Sequence, residues 1–555
     1  MSLSQTEAGS NLIGLDPDSR KMVLDTVKDL RKRLLTKDRI LEFDKKEVFP
    51  EADIRKMLDP EIGLQLLFIP EAYGGIGGGA RDSCAITREM GRICLGVATA
   101  FFAIQLGADP LLVGATEEQK KKWLGAIAEG NSLVAYAVTE PDAGSNLAAL
   151  TTTADPVRDD SGKIIGYNVN GNKQFISTGG YADFITLLAK TPEGPTFFVV
   201  EKGTKGFVQG KGEEKHGIRA SNTSPLSFSD VFVPVENLIG GVPGVGLKQA
   251  NEVFGYTRLM VAAMGLGAGE SALGIVIPYA KERIQFGSPL SEKQGYTHKL
   301  VVPNAVRLEA AAAYLDEVAL RFDSGEKDLQ VEGSIAKFFA TEAANKTADD
   351  AIQALGGYGY IAEFEVEKIK RDVKITCIYE GTSEIQQNII STFRWKKTRK
   401  TKGEYYGAMA TEMEKLDQTA PDAGGRYYGL AAVALNSAID LVHDRRLTKE
   451  QHVMFLLADM MTYVEVGASL ARKAKRLAES KARDAERIKT ISRVFAAEVA
   501  QLVAQNILKI VKGTGAFDEK EAAAFMKAVA HDQLICGCQN VVRDMDKVAD
   551  RLFGR

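Results

Sequence analysis

The sequence of 555 residues is poor in cysteine and histidine, with only five of each. The thiols Cys84, Cys94, Cys377, Cys536 and Cys538 are too few and too scattered for a disulfide framework in a chain of this size, so they indicate a reducing compartment. No H-E-x-x-H or G-x-S-x-G motif is present, which argues against metallohydrolase and serine hydrolase chemistry. We therefore predict no metal site, and we expect the C-G-C thiols to be buried.

The chain also has no marked excess of positive or negative charge and no long apolar run. Its 70 basic and 73 acidic residues leave a net charge of −3, so nothing favours nucleic-acid binding. No apolar run approaches the roughly 18–20 residues that cross a bilayer, so we predict no transmembrane segment, while peripheral membrane contact stays open. The first 21 residues are too acidic and arginine-poor for a transit peptide, and we expect a cytoplasmic protein.

The length predicts several domains. The succession of helix-like and strand-like sequence patterns predicts a mainly α fold of the α+β class. No internal repeat is visible. Asn170-Gly171 is typical of a hairpin turn within the β region. The predicted order is an N-terminal α-helical domain (1–130), a central β-barrel domain (131–242), a four-helix bundle (243–395), a basic linker (396–410) and a C-terminal helical extension (411–555).

Two features of the C-terminal third allow alternative interpretations. Six basic residues lie between Arg394 and Lys402, and we interpret them as a solvated linker, with a docking patch for an acidic partner as the alternative. Ile491, Phe495, Val499 and Leu502 mark one face of a helix, for which core packing is a commoner use than membrane-surface binding.

Four short stretches carry the composition of a ligand site. "YAVTEPDAGSN" (136–146) combines proline, glycine and hydroxyl residues in a loop that exposes its backbone. "ERIQFGSPLSEKQ" (282–294) and "QALGGYGY" (353–360) join a fixed cation, amides and paired glycines, as phosphate recognition requires. "IYEGTSEIQ" (378–386) carries two acids, Glu380 and Glu384, and no histidine, and the role of Glu380 is the question that it raises.

These stretches form part of an ordered series: YAVTEPDAGSN, NGNKQFISTGG, HGIRASNTSPLSFSDVFVP, YAKERIQFG, QALGGYGY and RDVKITCIYEGTSEIQ. The series resembles the acyl-CoA dehydrogenase family of flavoenzymes over roughly residues 20–395. The resemblance implies an α-helical domain, a β-barrel and a four-helix bundle. The C-terminal region resembles the extension of the very-long-chain-like subgroup, which takes the place of a second dimer in tetrameric relatives and so implies a homodimer.

The same resemblance implies FAD as cofactor, an acyl-CoA substrate, electron-transfer flavoprotein as acceptor and a link to fatty acid β-oxidation. It makes Glu380 the base that removes the α proton. Substrate contacts are implied for Ser145, Arg258 and Gly381. FAD contacts, with the same or a neighbouring subunit, are implied for Tyr136, Val138, Thr139, Ser145, Phe175, Ser177, Arg283, Gln285, Phe286, Gln294, Gln353, Gly356, Gly357, Thr382 and Glu384.

The sequence departs from the family pattern at two positions and leaves the substrate open. Phe175 stands where many members carry tryptophan, and Gly255 stands where medium-chain enzymes carry an acid that contacts CoA. Thr257 occupies the position where some relatives place the base, which keeps the base at Glu380. In the family that the sequence resembles, the helix matching residues 91–107 builds much of the pocket floor, with plain helix packing as the alternative role for its residues here. Relatives that act on glutaryl-CoA carry an arginine in this helix, so the lack of arginine after Arg92 makes a dicarboxylyl substrate less favoured. An acyl-CoA oxidase and a flavin-binding scaffold or damage-response protein remain alternatives.

Overall fold

The N-terminal domain is helical, as predicted. The computed structural model describes residues 12–130 and 132–555. Asp16 caps the first helix by accepting hydrogen bonds from the backbone N–H groups of Asp18 and Ser19, and Pro17 supplies a φ suited to the first helical position. The helices are α1 (Pro17–Arg33), α2 (Lys37–Lys46), α3 (Glu51–Leu58), α4 (Ala80–Ile93), α5 (Leu95–Gly114) and α6 (Glu117–Ala128).

The central β domain is confirmed as one curled, seven-stranded sheet. Its strands are β1 (Val134–Ala137), β2 (Thr153–Arg158), β3 (Ile164–Ser177), β4 (Phe184–Thr191), β5 (Gly194–Glu201), β6 (Phe207–Gln209) and β7 (Thr223–Pro234). The order is β1-β4-β2-β3-β7-β6, β1 and β4 are parallel, and β5 pairs antiparallel with β4. Apolar residues on the inner face, such as Val169, Ile185 and Phe198, form the core of this domain.

The expectation of a hairpin turn at Asn170-Gly171 is wrong, because both residues lie inside β3. The pairing of β3 with β7 shifts its register between Val169 and Gly171, which marks a bulge. Gly171 has a φ of 148°, and a Cβ added there would lie 2.7 Å from the Thr152 Cα. Glycine is therefore required by a close backbone approach in a strand rather than by a turn.

The bundle predicted at 243–395 is helical apart from short connections and one small β hairpin. It contains α7 (Gly246–Glu282), a small hairpin of β8 (Ile284–Gln285) and β9 (Ser288–Pro289), α8 (Gln294–Tyr296), a π-helical turn (Thr297–Val301), α9 (Val302–Asp323), α10 (Gln330–Leu355), α11 (Glu365–Val373) and α12 (Ser383–Lys400). Alanine and glycine on α7 and α10 allow the two helices to approach closely: the Cβ that Gly269 lacks would lie 3.0 Å from Ala344.

A second helical bundle follows. It consists of α13 (Glu404–Thr419), α14 (Gly425–Asp444), α15 (Gln451–Glu479), α16 (Ala485–Gly513), α17 (Glu519–Ala528), α18 (His531–Ile535) and α19 (Val541–Phe553). On α16, Ile491, Phe495 and Val499 are buried and Leu502 packs against the same core, which confirms the predicted use of this face.

The structure does not show a linker at 396–410. α12 continues to Lys400 and α13 begins at Glu404, so only a three-residue turn separates them. Basic residues suit the last turn of a helix, where they face the negative end of the helix dipole. Arg394, the first residue of the basic run, is buried rather than solvated.

The two bundles are joined through buried and half-buried ion pairs. Arg394 on α12 binds Glu332 on α10 at 2.9 Å and Glu465 on α15 at 2.7 Å. The hydroxyls of Tyr406 and Tyr405 donate to the same Glu465 carboxylate at 3.0 and 3.3 Å. Arg472 and Glu317 add a further pair at 2.7 Å between α15 and α9. The extension is therefore fixed in orientation by directional contacts.

We predicted that no segment is long and apolar enough to cross a bilayer, and this prediction is wrong as far as length and composition are concerned. Four helices meet both criteria: Leu95–Gly114, Gly246–Glu282, Gln451–Glu479 and Ala485–Gly513. Of the apolar window in each, 67–83% is buried inside the protein. Packing between helices accounts for this composition.

All five cysteines are free thiols, and the expectation that the two C-G-C thiols are buried is wrong. Cys84, Cys94 and Cys377 are buried, whereas Cys536 and Cys538 are exposed because the C-G-C segment lies on the surface between α18 and α19. Within residues 12–130 and 132–555, no group of three or more metal-binding side chains comes together.

Breaking the buried ion cluster should destabilise the protein strongly. Replacing Arg394 by methionine leaves Glu332 and Glu465 without their shared cation, and removing one partner of a buried pair costs about 3–5 kcal/mol. The Arg399→Met variant is the control, because Arg399 pairs with Asp440 on the exposed surface, where such a pair contributes about 0–1 kcal/mol. Urea unfolding followed by circular dichroism measures both, and equal midpoints would contradict this account.

Candidate active site

Glu380 lies in a tight connection between the short helix Lys374–Cys377 and α12. Its φ is +55° and that of Gly381 is +88°, so two successive residues have left-handed backbone conformations. Thr382 caps α12 by accepting from the Ile385 N–H at 3.3 Å. A non-glycine residue in this conformation costs of order 1–3 kcal/mol, which surrounding contacts must offset, and such residues concentrate at functional sites.

Side-chain hydrogen bonds hold this connection in place. The Gln386 amide donates to the carbonyl oxygens of Glu380 at 3.0 Å and Gly381 at 2.9 Å. The Lys337 ammonium, on α10, donates to the Gly381 carbonyl at 2.6 Å. Lys337 is fully buried, and burial lowers its pKa to about 8. Both carbonyls next to the acid are therefore fixed by buried donors.

The Glu380 carboxyl has one neutral hydrogen-bond donor and no ion pair among the described residues. Thr257 on α7 donates to Glu380 Oε2 at 3.0 Å. Burial raises the pKa of Glu380, and the Thr257 hydrogen bond is the largest of the opposing effects. The charges of Arg258 and Lys337 act in the same direction as Thr257 but more weakly. The result is a single acid whose pKa lies above its ordinary value.

Arg258 is a buried cation beside this acid. Its Nη1 donates to the Ser334 hydroxyl at 3.1 Å, and its Nε has no partner among the described residues. Burial lowers the pKa of Arg258, and the charge of Glu380 partly offsets that effect. Arg258 therefore contributes positive potential to the site without neutralising Glu380 directly.

The backbone N–H of Glu380 makes no hydrogen bond within the part of the chain that the structure describes. The neighbouring carbonyl oxygens are both occupied, whereas this donor is free. A fixed, unpaired N–H beside a carboxyl is suited to bind an oxygen that gains negative charge.

The loop from 136 to 146 is anchored by a buried ion pair. Lys173 on β3 binds Glu140 at 2.7 Å and the Val138 carbonyl at 3.0 Å. Burial opposes ionisation of Glu140, but hydrogen bonds from Lys173 and Thr152 outweigh it and lower the pKa of Glu140 to about 2. These contacts fix Tyr136, Val138 and Thr139 while leaving Ser145 exposed, so of the predicted loop residues only Val138 is buried.

Phe175 is presented to the surface by a bulge at the end of β3. Its φ is +60°, its side chain is 64% exposed, and the β3–β7 register shifts between Lys173 and Ile176. The adjacent Gln174 N–H donates to the Thr139 carbonyl at 2.9 Å, which joins this strand to the 136–146 loop. The structure thus places the end of β3, which carries Phe175 and Ser177, against the loop that contains Thr139.

A second group of predicted residues lies at the ends of α7 and α10. The Arg283 guanidinium lies 5.9 Å from the Tyr358 ring, which brings the β8–β9 hairpin against the segment after α10. Arg283 forms no ion pair within the described residues, and Phe286 is 97% exposed with a φ of +50°. Gln285, Gln353, Gly356 and Gly357 are also exposed, and a Cβ on either glycine would meet open space.

Gln294 and the C-terminal helix make a contact that the sequence did not predict. The Gln294 amide donates to Asp546 on α19 at 2.8 Å, and His298 lies 3.2 Å from the same carboxylate. The extension thereby reaches the second group of predicted site residues.

Several residues that build the site were missed from the sequence. Lys337 sits in the apolar run "SIAKFFA", where a lone lysine at a core position is a usable signal. Glu140 and Lys173 were overlooked because their pairing joins a loop to a strand 33 residues away. Asp109 on α5 and Gln386 on α12 carried no distinctive spacing.

Comparison with known proteins relates the whole chain to one family. The model described as acyl-CoA dehydrogenase, N-terminal domain, matches residues 17–131, and the middle-domain model matches residues 135–231. The C-terminal-domain model matches twice, at 244–393 and 409–552. The extension is therefore similar to the bundle that precedes it, a repeat that the sequence analysis did not detect.

Individual relatives agree with this assignment. An acyl-CoA dehydrogenase of Bacillus subtilis (strain 168) is 38% identical over 379 residues, which cover 65% of this chain and 98% of the relative. A structure described as an acyl-CoA dehydrogenase complexed with FAD, from Bacillus anthracis, superposes with a TM-score of 0.83 at 26% identity, covering 98% of this chain and 96% of that one. A chain from a study of the electron transferring flavoprotein of Acidaminococcus fermentans has a TM-score of 0.64 at 35% identity, covering 68% and 97%.

The domain matches and the relatives thus agree with the motif order and the fold, and this chain belongs to the acyl-CoA dehydrogenase family.

Proposed function

We propose that the protein is an FAD-dependent acyl-CoA dehydrogenase that converts an acyl-CoA thioester to the trans-2-enoyl-CoA. The observation that carries this proposal is the single, half-buried carboxyl of Glu380, held in a left-handed connection and hydrogen-bonded to Thr257 rather than to a cation. Its raised pKa suits a base that works near neutral pH.

Glu380 removes the α proton of the thioester, and the β hydrogen leaves with its electron pair as a hydride. The Cα–H and Cβ–H bonds break, and the Cα–Cβ double bond forms. Bound FAD supplies the hydride acceptor at N5. The α proton is weakly acidic, so negative charge that develops on the thioester oxygen must be stabilised. The free backbone N–H of Glu380 supports a role as one donor to that oxygen.

The residues present fit FAD. The unpartnered, buried Tyr136 hydroxyl offers a donor close enough to Glu380 to interact with its charge, and the exposed Phe175 ring offers an apolar surface beside the 136–146 loop. The unpaired Arg283 guanidinium and the open space at Gly356 and Gly357 suit a pyrophosphate. Thr382 and Glu384 complete the proposed contacts next to Glu380, and Ser177 is the proposed contact beside Phe175. Gln285, Phe286, Gln294 and Gln353 complete those near Arg283.

We propose a homodimer in which the Arg283 group contacts the FAD of a neighbouring subunit. This group is exposed and includes Phe286, which has almost no protein contacts in one chain. A similar chain from a study of an electron transferring flavoprotein supports electron-transfer flavoprotein as the acceptor. The free thiols support the cytoplasm as the proposed location.

An anaerobic panel of acyl-CoA thioesters tests the reaction class. We expect at least one saturated thioester to bleach the flavin absorbance without oxygen. Reoxidation by electron-transfer flavoprotein, rather than rapid oxygen consumption, would separate the dehydrogenase from the oxidase alternative. A panel in which no thioester bleaches the flavin would contradict the proposal.

Glu380→Gln should retain FAD and lose turnover by about 10²- to 10⁴-fold, because the amide is isosteric but accepts no proton. Turnover and flavin content are measured on the same preparation. Glu404→Gln is the control, since Glu404 is an exposed acid on α13. Near-wild-type turnover in Glu380→Gln would place the base elsewhere.

Thr257→Val should move the acidic limb of the pH–rate profile to higher pH. The Thr257 hydrogen bond favours the ionised form of Glu380, so its loss raises the pKa of the base, and activity that needs the ionised form then appears only at higher pH. Thr411→Val, an exposed isosteric change on α13, should leave the limb in place. An unchanged or lowered limb in Thr257→Val would contradict the assignment.

Phe286→Asp should reduce the dimer fraction and the FAD content together, because it puts a charge on an apolar side chain that we place at the subunit boundary. Light scattering and the flavin-to-protein absorbance ratio provide the two measurements. Met22→Asp is the matched control, since Met22 on α1 is also exposed. Full FAD occupancy in a monomeric Phe286→Asp variant would contradict the shared site.

A further inference from the structure

A group of buried polar side chains, here called the inner polar cluster, lies beside Glu380, and apart from Tyr136 its members have no role in the reaction described above. It consists of Ser83 on α4, Gln105 and Asp109 on α5, Tyr136 on β1 and Tyr256 on α7. Ser83 Oγ, Gln105 Oε1, Asp109 Oδ2 and the Tyr136 hydroxyl are all buried without a hydrogen-bond partner among the described residues.

Asp109 is the least expected member of this cluster. It is 6% exposed, and neither a cation nor a hydrogen-bond donor approaches its carboxyl in the described chain. Gln105, one helical turn earlier, is 4% exposed and lies near Tyr256, as Asp109 does. The rest of α5 around them is apolar, with Ala98, Phe101 and Phe102 buried.

The cluster adjoins the proposed base. Asp109, Tyr136 and Glu380 are close enough to act on one another electrostatically: burial raises the pKa of Asp109 and of Tyr136, and the charge of Glu380 raises both further. On the far side, the Tyr256 hydroxyl lies beside Ser83 and Gln105, with Asp109 nearby. The unpartnered groups therefore extend from the reacting carboxyl along α5.

Unpaired buried polar groups are costly. Each one left without a partner costs about 1–3 kcal/mol, and native proteins satisfy nearly all of them through protein, water or ligand. A hydrocarbon chain packed against this cluster would leave the carboxyl of Asp109 and the amide oxygen of Gln105 unpaired. A substrate group that donates hydrogen bonds would satisfy both, and sites of this kind reject analogues that lack the donor.

We propose that the acyl-CoA substrate of this enzyme carries a hydrogen-bond-donating substituent, a hydroxyl or an ammonium group, beyond Cβ, and that Asp109 and Gln105 accept from it. This inference rests on the proposed acyl-CoA dehydrogenase activity. The donor lies beyond Cβ because Cα and Cβ are the carbons that react. Asp109 is thus a specificity residue for the acyl chain.

Matched thioesters test the proposal on the holoenzyme. Hexanoyl-CoA, 5-hydroxypentanoyl-CoA and 5-aminopentanoyl-CoA differ only in a terminal methyl, hydroxyl or ammonium group. Pentanoyl-CoA with its 4-hydroxybutanoyl and 4-aminobutanoyl counterparts repeats the comparison one carbon shorter. The rate of anaerobic flavin reduction and kcat/KM are measured for each, and we expect a polar member to exceed its alkyl partner by at least about tenfold at one length.

Variants at Asp109 test whether this residue causes the preference for a polar over an alkyl thioester. Asp109→Leu should reverse it towards the alkyl thioester, and its Tm should be unchanged or higher because an uncompensated buried acid is removed. Asp109→Asn keeps an acceptor without a charge, so it should retain a hydroxyl preference and lose an ammonium preference. Gln105→Leu should act in the same direction as Asp109→Leu. Val113→Ala, a half-exposed position on α5, should leave the ratio unchanged.

The outcomes separate the two proposals. If an alkyl thioester reduces the flavin fastest in the wild type and Asp109→Leu leaves the ratio unchanged, this inference is overturned while the dehydrogenase activity stands. A lower Tm with an unchanged ratio would show a structural role for Asp109 and would overturn it too. If no thioester reduces the flavin, both proposals fail. Should Asp109→Leu lose FAD, the ratios in Asp109→Asn and Gln105→Leu decide.

Discussion

The half-buried carboxyl of Glu380, with its raised pKa, is the constraint on which the rest of the site depends. An acid removed from water has a raised pKa, which suits a base, but its removal from water also costs free energy that local contacts must offset. The structure meets this requirement with one hydroxyl, Thr257, on the carboxyl, and with Lys337 and Gln386 on the adjacent carbonyls. A direct ion pair would have held the carboxyl more firmly but would have lowered its basicity.

The wider fold serves this arrangement. Glu380 and Lys337 belong to the first bundle, and the loop anchored by Glu140 and Lys173 belongs to the β domain. The second bundle binds the first through Arg394, on the same α12 that follows Glu380. Helix α12, which directly follows the connection that contains Glu380, is therefore held at both ends. Thr382 caps its N-terminus, and the Arg394 ion pairs hold it near its C-terminus.

The sequence predicted the domain order, the helical faces and the position of the lone acid, because these depend on local periodicity and on motifs of a few residues. It failed where distant residues decide the outcome. Asn170-Gly171 has the composition of a turn, yet a close approach to Thr152 makes it a bulge in β3. The basic run after Arg394 has the composition of a linker, yet Glu332 and Glu465 bury its first residue. Asp109 was likewise invisible, since its unpaired state exists only in the folded chain.

The central claim is that Glu380 itself removes the α proton, and hydrogen exchange measures that step directly. The protein is incubated anaerobically with an acyl-CoA thioester in D2O, and deuterium at Cα is followed by mass spectrometry. The account predicts that the wild-type protein incorporates deuterium at Cα and that Glu380→Gln with bound FAD does not. Equal incorporation by the two proteins would contradict it.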